Sequence, residues 1–328
     1  MYYTEVLSEK YFKLFMGAYN DFRANCAKDY LFELEPLNYE DFISYFKKGI
    51  IKCILLLEGA VPTAFLAYSE AQEDAIELYI IHCLGFENIN EKKRLLLEAF
   101  LNETQETRKT SLVSYPMLGK QEDFKEIIRR YNFNFINLAV FDFPILDKKE
   151  TKNLEKIRFT DLPIGYKIVP YREIYKEGLR NCIYKSFEKT SDINFDPRFK
   201  SYKGCYDITE KITEEIYGTF LSQASRILLY ENEVVGFCLA NITGNHIGNI
   251  PLVGIVQEHR GLGLSEVMVK SAVEEIIKLN RQETIKLDTL NVSTDYENTP
   301  AVKMYEQLGF NLSYTYPQAY LPPLALQV

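Results

Sequence analysis

A strand that runs through a glycine turn directly into an amphipathic helix is the feature that most restricts the fold of this chain. Apolar residues over 252–256 predict a buried strand, and residues 257–263 form a polar, glycine-rich turn. The helix is predicted from the spacing of its apolar residues, which are Leu264, Val267, Met268, Ala272, Ile276 and Leu279. Strand, turn and helix in this order are typical of folds that pack helices on a sheet.

The turn has the properties of an anion site. Backbone N–H groups at a helix N-terminus are free, and the helix dipole attracts phosphate to them. Gly261 and Gly263 permit positive φ and let the backbone approach a ligand, and Arg260 can add a charge-assisted contact. A mononucleotide P-loop is excluded because no lysine follows Gly263 at the required spacing. A dinucleotide fingerprint is excluded because Glu266 replaces the third glycine. We therefore predict a pyrophosphate cradle.

A second motif occupies residues 298–310. Thr299 is a favourable N-cap, Pro300 suits the first helical position and Gly309 suits the residue after the helix, so we predict a short helix with marked ends. Ala301 and Tyr305 are four residues apart and share a face of this helix. Residues 283–292, which precede it, have the β-branched and alternating character of a strand.

Together the two motifs resemble the GNAT acetyltransferase superfamily over roughly residues 165–328. The turn is similar to the family's coenzyme A loop, Gln/Arg-x-x-Gly-x-Gly/Ala, and reads Arg260-Gly261-Leu262-Gly263-Leu264-Ser265. Ser265 departs from the pattern, which has glycine or alanine at that position. The helix is similar to the signature Asn-x-x-Ala-x-x-x-Tyr-Glu-x-x-Gly-Phe, matched at Asn298, Ala301, Tyr305, Glu306, Gly309 and Phe310.

The first half of the chain repeats the plan of the second at an offset near 173 residues. We predict two tandem GNAT-like domains, 1–150 and 151–328, of the α/β (α+β) class, each a mixed, mostly antiparallel twisted sheet flanked by helices. The charged segment 147–163 is the predicted linker. At the cradle position the first half has one glycine, no arginine and the carboxylates Glu87 and Glu91, which would repel a pyrophosphate. Ile128 lies near the tyrosine position. The first domain is therefore predicted not to bind coenzyme A.

Composition and charge exclude several classes of protein. The 328 residues carry a net charge of −8, which argues against a general nucleic-acid binder. The most apolar segment, Ile50–Tyr68, is interrupted by charges and a proline, so we expect no membrane span, and the first residues do not resemble a signal peptide. The six cysteines contain no C-x-x-C pair, and the three histidines are scattered. We expect a cytoplasmic protein without a bound metal.

The resemblance implies a cofactor and roles for particular residues. It implies that acetyl-CoA is the cofactor and that a primary amine of a small molecule or peptide is the acetyl acceptor. The strand before the turn would splay from its neighbour and leave backbone groups of Ile255 and Val256 for the pantetheine arm, with a backbone N–H near Val256 contacting the thioester carbonyl. Tyr305 would be the general acid, because a phenol is protonated at neutral pH. Ala301, Asn291 and Asn298 would contact the cofactor.

The remaining points stay open at the level of sequence. The group that deprotonates the amine is unassigned, with Asp288, His246, Asn249 and a water chain as the alternatives. A non-catalytic acyl-CoA sensor or scaffold and an aminoacyl-tRNA-dependent ligase are rival functions, and the acidic charge argues against the second. Neither the acceptor amine nor the oligomeric state is indicated by the sequence.

Overall fold

The computed structural model describes residues 1–30, 35–72, 74–119, 121–159, 161–194, 196–244 and 246–326. These residues pack as two compact units, which we call the first unit (within 1–136, 194–196 and 316–328) and the second unit (within 137–193 and 197–315). Neither unit is a continuous stretch of chain.

The first unit contains a sheet with helices on both faces. Its elements in chain order are β1 (Tyr2–Val6), α1 (Phe12–Tyr30), α2 (Tyr39–Lys47), β2 (Lys52–Glu58), β3 (Val61–Gln72), β4 (Ala75–Cys83), α3 (Ile89–Glu103), β5 (Leu112–Pro116) and α4 (Glu122–Arg129). The strands lie in the order β1-β2-β3-β4-β5. All neighbours are antiparallel except β4 and β5, which are parallel.

The second unit is built to the same plan. Its elements are β6 (Asn134–Pro144), α5 (Lys148–Lys156), β7 (Tyr166–Pro170), α6 (Lys176–Phe187), α7 (Tyr202–Thr213), β8 (Thr219–Phe220), β9 (Arg226–Tyr230), β10 (Glu233–Ile242), β11 (Ile247–Ile255), α8 (Leu264–Arg281), β12 (Thr289–Asp295), α9 (Thr299–Gln307) and the start of β13 (Asn311–Leu321). The strand order is β7-β9-β10-β11-β12. Here β11 and β12 are the parallel pair. The predicted fold class is confirmed.

The last strand of each sheet comes from the other half of the sequence. In the first unit β5 pairs with the end of β13, from Gln318 opposite Pro116 to Leu321 opposite Val113. In the second unit β12 pairs with β6 over seven positions, from Thr289 opposite Pro144 to Asp295 opposite Leu138. This reciprocal exchange explains why the first unit includes residues 316–328 and why the second unit begins at residue 137, within β6.

Apolar faces of the helices bury the sheets. In the second unit α6, α8, α9 and the strands form one core, in which Phe141, Phe143 and Phe237 are fully buried. The first unit has one core on the α3 and α4 face, around Phe100 and Tyr115, and another on the α1 and α2 face.

Two local predictions differ from the structure. Part of the predicted linker is helix α5, whose N-terminus is capped by Asp147 and which buries only Thr151 and Leu154. Two buried residues in nine give too weak a periodicity to be recognised. The sequence also predicts a helix around residues 212–223, whereas the helix of this region is α7, which ends at Thr213 and is followed by the short strand β8.

Candidate functional site

The turn between β11 and α8 has the backbone that its glycines predict. Gly261 and Gly263 have φ of +78° and +69°, a region that residues with a side chain seldom adopt. A Cβ at Gly261 would meet no atom within 4 Å, so conformation rather than crowding requires glycine there. Gly263 is the N-cap of α8 and contributes no capping side chain. The first N–H groups of α8 are thus presented to an exposed loop.

Three predicted loop residues surround this helix end. Leu262 is 50% exposed, whereas Leu264 is 2% exposed and anchors the helix in the core. The hydroxyl of Ser265 donates to the Glu266 carboxylate at 3.1 Å. An acidic residue in the first turn stabilises the helix dipole, and this one places a negative charge beside the predicted anion site.

Arg260 ties the turn to its surroundings. Its Nε donates to the carbonyl of Ile255 and its Nη2 to the carbonyl of Ser186 at the end of α6, both at 2.8 Å. These bonds use part of the five donors of the guanidinium. The side chain therefore fixes the shape of the loop, and a contact to an anion would use the donors that remain.

His259 is not the solvent-facing side chain that its place in a polar turn suggests. Its Nδ1 lies 2.6 Å from the hydroxyl of Tyr166, and its ring lies 5.0 Å from that of Tyr230. A groove of about 1160 Å³ runs beside this end of the turn, between α6 and residues 256–260. It is lined by charged groups of both signs, including Lys185, Glu188 and Arg260. The sequence patterns did not indicate it.

The strands β11 and β12 diverge towards the turn. Their parallel pairing begins at Ile247 opposite Thr289 and ends at Ile250 opposite Val292, although β11 continues to Ile255 and β12 to Asp295. This opening, which we call the wedge, is the splay that the resemblance implies. Its apex lies at the last paired position, and its mouth lies at the glycine turn.

The register with β10 decides which backbone groups face the wedge. The N–H of Val256 donates to the carbonyl of Val235 at 3.0 Å, so it is not free for a thioester carbonyl as the resemblance implied. Antiparallel positions alternate between bonded and non-bonded pairs, and Gly236 pairs with Ile255 and Cys238 with Val253. The backbone groups of Ile255 and Val253 therefore point away from β10 and towards the wedge. The carbonyl of Ile255 already accepts a hydrogen bond from Arg260, so the N–H of Ile255 is the group that remains to face the wedge.

Tyr305 is buried on α9. Its side chain is 4% exposed, and its ring packs at 6.0 Å from Phe141 and 5.6 Å from Phe310. Burial raises the pKa of Tyr305 well above the ordinary value of a phenol, and the nearby Cys238 raises it further. Within the described part of the chain no hydrogen-bond partner is found for its hydroxyl. This group stays protonated at neutral and moderately alkaline pH.

The other predicted contacts lie on the elements around Tyr305. Asn298, rather than Thr299, is the N-cap of α9, and its Oδ1 accepts the N–H of Ala301 at 3.3 Å. Ala301 is half-buried one turn before Tyr305. Asn291 lies on β12 and is 8% exposed. The capping bond accounts for Asn298 structurally, and its contact to a cofactor stays a prediction.

The first unit has a similar divergence, but its own side chains fill it. Pairing between β4 and β5 ends at Glu77 opposite Ser114, and beyond it the fully buried Tyr115 donates to the side chain of Gln121 at 2.9 Å. The ammonium of Lys93, 7% exposed, donates to the same oxygen at 3.1 Å. Burial lowers the pKa of Lys93. Three linked side chains thus close the space that is open in the second unit.

Across the ranges that the structure describes, no group of three or more His, Cys, Asp or Glu side chains is arranged to hold a metal ion. None of the helices in those ranges is long and apolar enough to cross a membrane.

Comparisons with known proteins agree with this geometry. Residues 188–310 match the family model described as the acetyltransferase (GNAT) family. No curated protein sequence matches the chain. Many solved structures share its fold. A tandem GNAT protein from the clavulanic acid biosynthesis pathway is 11% identical, with 98% of both chains covered and a TM-score of 0.59.

Two further structures have slightly higher TM-scores. A GCN5-related N-acetyltransferase from Sphaerobacter thermophilus is 12% identical, with 98% of this chain and 95% of that chain covered and a TM-score of 0.63. A glucosamine N-acetyltransferase region in a fungal multi-domain GH3 β-N-acetylglucosaminidase is 11% identical, with 98% of this chain and 38% of that chain covered and a TM-score of 0.63. Residues 188–310 therefore belong to a domain of the GNAT acetyltransferase family, within a chain that has the tandem GNAT fold.

Proposed function

We propose that the protein is an acetyl-CoA-dependent N-acetyltransferase that acts on a primary amine of a small molecule or peptide. The observation that carries the proposal is the wedge between β11 and β12, which opens onto a glycine turn at a helix N-terminus. A pyrophosphate and an extended pantetheine arm need these two features side by side. The family match over residues 188–310 supports the same activity.

Different residues bind different parts of the cofactor. The N–H groups of residues 261–265 and the dipole of α8 hold the pyrophosphate. Backbone groups of Val253 and Ile255 on the wedge side of β11 bond the pantetheine amides, and the N–H of Ile255 replaces that of Val256 as the donor to the thioester carbonyl. Arg260, Asn291, Asn298 and Ala301 complete the contacts. Bound acetyl-CoA supplies an activated acetyl group to an amine that attacks it directly in a ternary complex.

Tyr305 holds the proton that the departing thiolate needs. A buried phenol with a raised pKa remains protonated over the pH range in which an enzyme of this kind works. The first unit, whose own divergence is filled by Tyr115, Gln121 and Lys93, is proposed to have a structural role without coenzyme A. We propose a cytoplasmic location.

A non-catalytic acyl-CoA sensor is the second candidate, because the wedge and turn alone would suffice for binding. The buried tyrosine favours the enzyme, since a sensor has no need of a proton donor at this place. An aminoacyl-tRNA-dependent ligase is disfavoured by the net charge of −8.

Thermal unfolding with and without acetyl-CoA tests the cofactor. Ligand at 100 times its Kd stabilises the protein by about 2.7 kcal/mol, which raises the Tm by a few degrees. We expect Gly263→Glu to abolish this rise, because its φ of +69° disfavours a side chain and its carboxylate lies where the pyrophosphate binds.

Gly59→Glu is the matched control. Gly59 has φ of +63°, open space around it and a place in the β2–β3 turn of the first unit, so the substitution brings similar strain and the same charge. This variant should keep the acetyl-CoA-dependent rise in Tm. A wild-type protein whose Tm is unchanged by acetyl-CoA would refute both the enzyme and the sensor.

A further inference from the structure

Four polar side chains form a row across adjacent strands of the second unit. Asn241 on β10 pairs with Asn249 on β11. Asn249 pairs in turn with Asn291 on β12, and Asn291 with Asp142 on β6. Directly opposed residues of neighbouring strands share a face of the sheet. We call these four residues the polar row.

The polar row lies on the α6 face of the sheet. Asn241 and Phe237 are four residues apart on β10, so their side chains lie on the same face of the sheet. The ring of Phe237 contacts that of Phe187 on α6 at 6.1 Å. Cys238 has the opposite orientation, and it is the residue that adds to the raised pKa of Tyr305. The polar row and Tyr305 therefore approach the sheet from opposite faces.

Two atoms of the polar row are buried without a partner. Asn241 is 1% exposed; its amide N–H₂ donates to the carbonyl of Tyr217 at 2.5 Å, and its Oδ1 accepts no hydrogen bond from any described residue. One carboxylate oxygen of Asp142 is likewise buried and unbonded within the described ranges. An unsatisfied buried acceptor is costly, and native proteins contain few. The two atoms lie three strands apart, about 14 Å, so one donor cannot serve both, and the Asp142 oxygen is the one on a half-buried side chain.

The polar row lies at the place from which the amine that accepts the acetyl group must attack. Asn249 and Asn291 form the position immediately before Ile250 and Val292, at which the wedge opens. Asn249 and Asp142 are half-buried, so a solute can reach them from the α6 face. An amine held there, once its ammonium has lost a proton to water, would meet a carbonyl in the wedge from the side opposite to Tyr305.

We propose that the polar row binds the primary ammonium group of the acetyl acceptor, with Asp142 providing the charge and the amide oxygen of Asn249 a further hydrogen bond. An ammonium has three donors and no acceptor, which suits a row of oxygens. The inference rests on the proposed acetyltransferase function and assigns its acceptor subsite to a strand from the N-terminal half of the sequence. Asp142 is proposed as an acceptor-binding residue.

Asp142→Asn tests the assignment because it removes the charge and keeps the shape. Ethanolamine, spermidine, L-lysine and glucosamine serve as probes, with N-acetylglucosamine as the uncharged partner of glucosamine. For every amine that the wild type acetylates, the variant should raise KM about tenfold to a hundredfold while kcat changes little. Asp142→Glu should recover part of the loss, and the Tm rise with acetyl-CoA should be unchanged in both variants.

Asp161→Asn is the matched control, since Asp161 is exposed in the segment before β7. It should leave KM as in the wild type. Calorimetric titration of each amine into protein without acetyl-CoA measures the subsite by itself. A wild type that fails to bind acetyl-CoA refutes the proposed function, and these titrations still decide the subsite. Equal amine affinity in wild type and Asp142→Asn, or no amine binding at all, would overturn the inference.

Discussion

A fragment comprising residues 151–328 is expected to be unfolded, although it contains every residue that resembles the acetyltransferase family. It lacks β6, which pairs with β12 over seven positions. It also lacks Phe141 and Phe143, which are fully buried in the core of the intact chain. Truncating one buried phenylalanine costs about 3–5 kcal/mol, and a typical domain has about 5–15 kcal/mol of stability in total. Loss of both residues and of the pairing exceeds that reserve.

Residues 137–315 form the comparison fragment. It contains the whole second unit, including β6, and omits the part of β13 that belongs to the first unit. We expect this fragment to unfold cooperatively in urea and to show near-UV circular dichroism, and the 151–328 fragment to show neither. Cooperative unfolding of 151–328 at a denaturant concentration close to that of 137–315 would contradict the structural role assigned to β6.

Tyr305→Phe is expected to lower kcat by about a hundredfold to ten-thousandfold, the range found for the loss of a general acid. Its stability should change little, because among the described residues no hydrogen bond to the hydroxyl is found. The acetyl-CoA-dependent rise in Tm should persist, which separates a loss of chemistry from a loss of binding. Tyr296→Phe, at an exposed tyrosine of the second unit, is the control and should keep the wild-type kcat. A Tyr305→Phe variant with wild-type kcat would remove Tyr305 from the mechanism.

The pH dependence of kcat gives a further test of the same residue. Burial raises the pKa of Tyr305 above its ordinary value near 10. A group with a raised pKa keeps its proton as the pH increases, so Tyr305 should cause no fall in kcat between neutral pH and about 10. We expect a flat alkaline side in this window, measured with an amine acetylated by the wild type. A fall centred near pH 8 that Tyr305→Phe abolishes would show that the pKa is not raised.

Local chemistry made the glycine turn and α9 predictable from sequence. Gly261, Gly263 and Gly309 all adopt the positive φ for which glycine is suited, and Pro300 lies at the start of α9. Caps and turns depend on neighbours in the chain, so their signals are complete within a few residues. The N-cap itself was misplaced by one residue, at Thr299 instead of Asn298.

Features that depend on the pairing register of the strands could not be predicted from the sequence. The occupied N–H of Val256 follows from its pairing with Val235, and a shift of one position would have freed it. The polar row needs the registers of three strand pairs and an irregularity between Leu239 and Asn241 on β10. The exchange of β6 and β13 pairs segments that are far apart in the chain. Apolar alternation shows that a segment is a strand and leaves its partner undetermined.

The exchange of end strands has a consequence for the ancestry of the chain. Two identical protomers that traded their last strands would have the same pairing, and joining their genes end to end would give the present connectivity. Once the copies were fused, the cleft of either copy could be filled without loss of the other, and in the first unit Tyr115 lies in the corresponding space. Neither copy could be deleted, because each completes the sheet of the other. A copy whose cleft is filled is thereby retained by selection on the folding of its sibling.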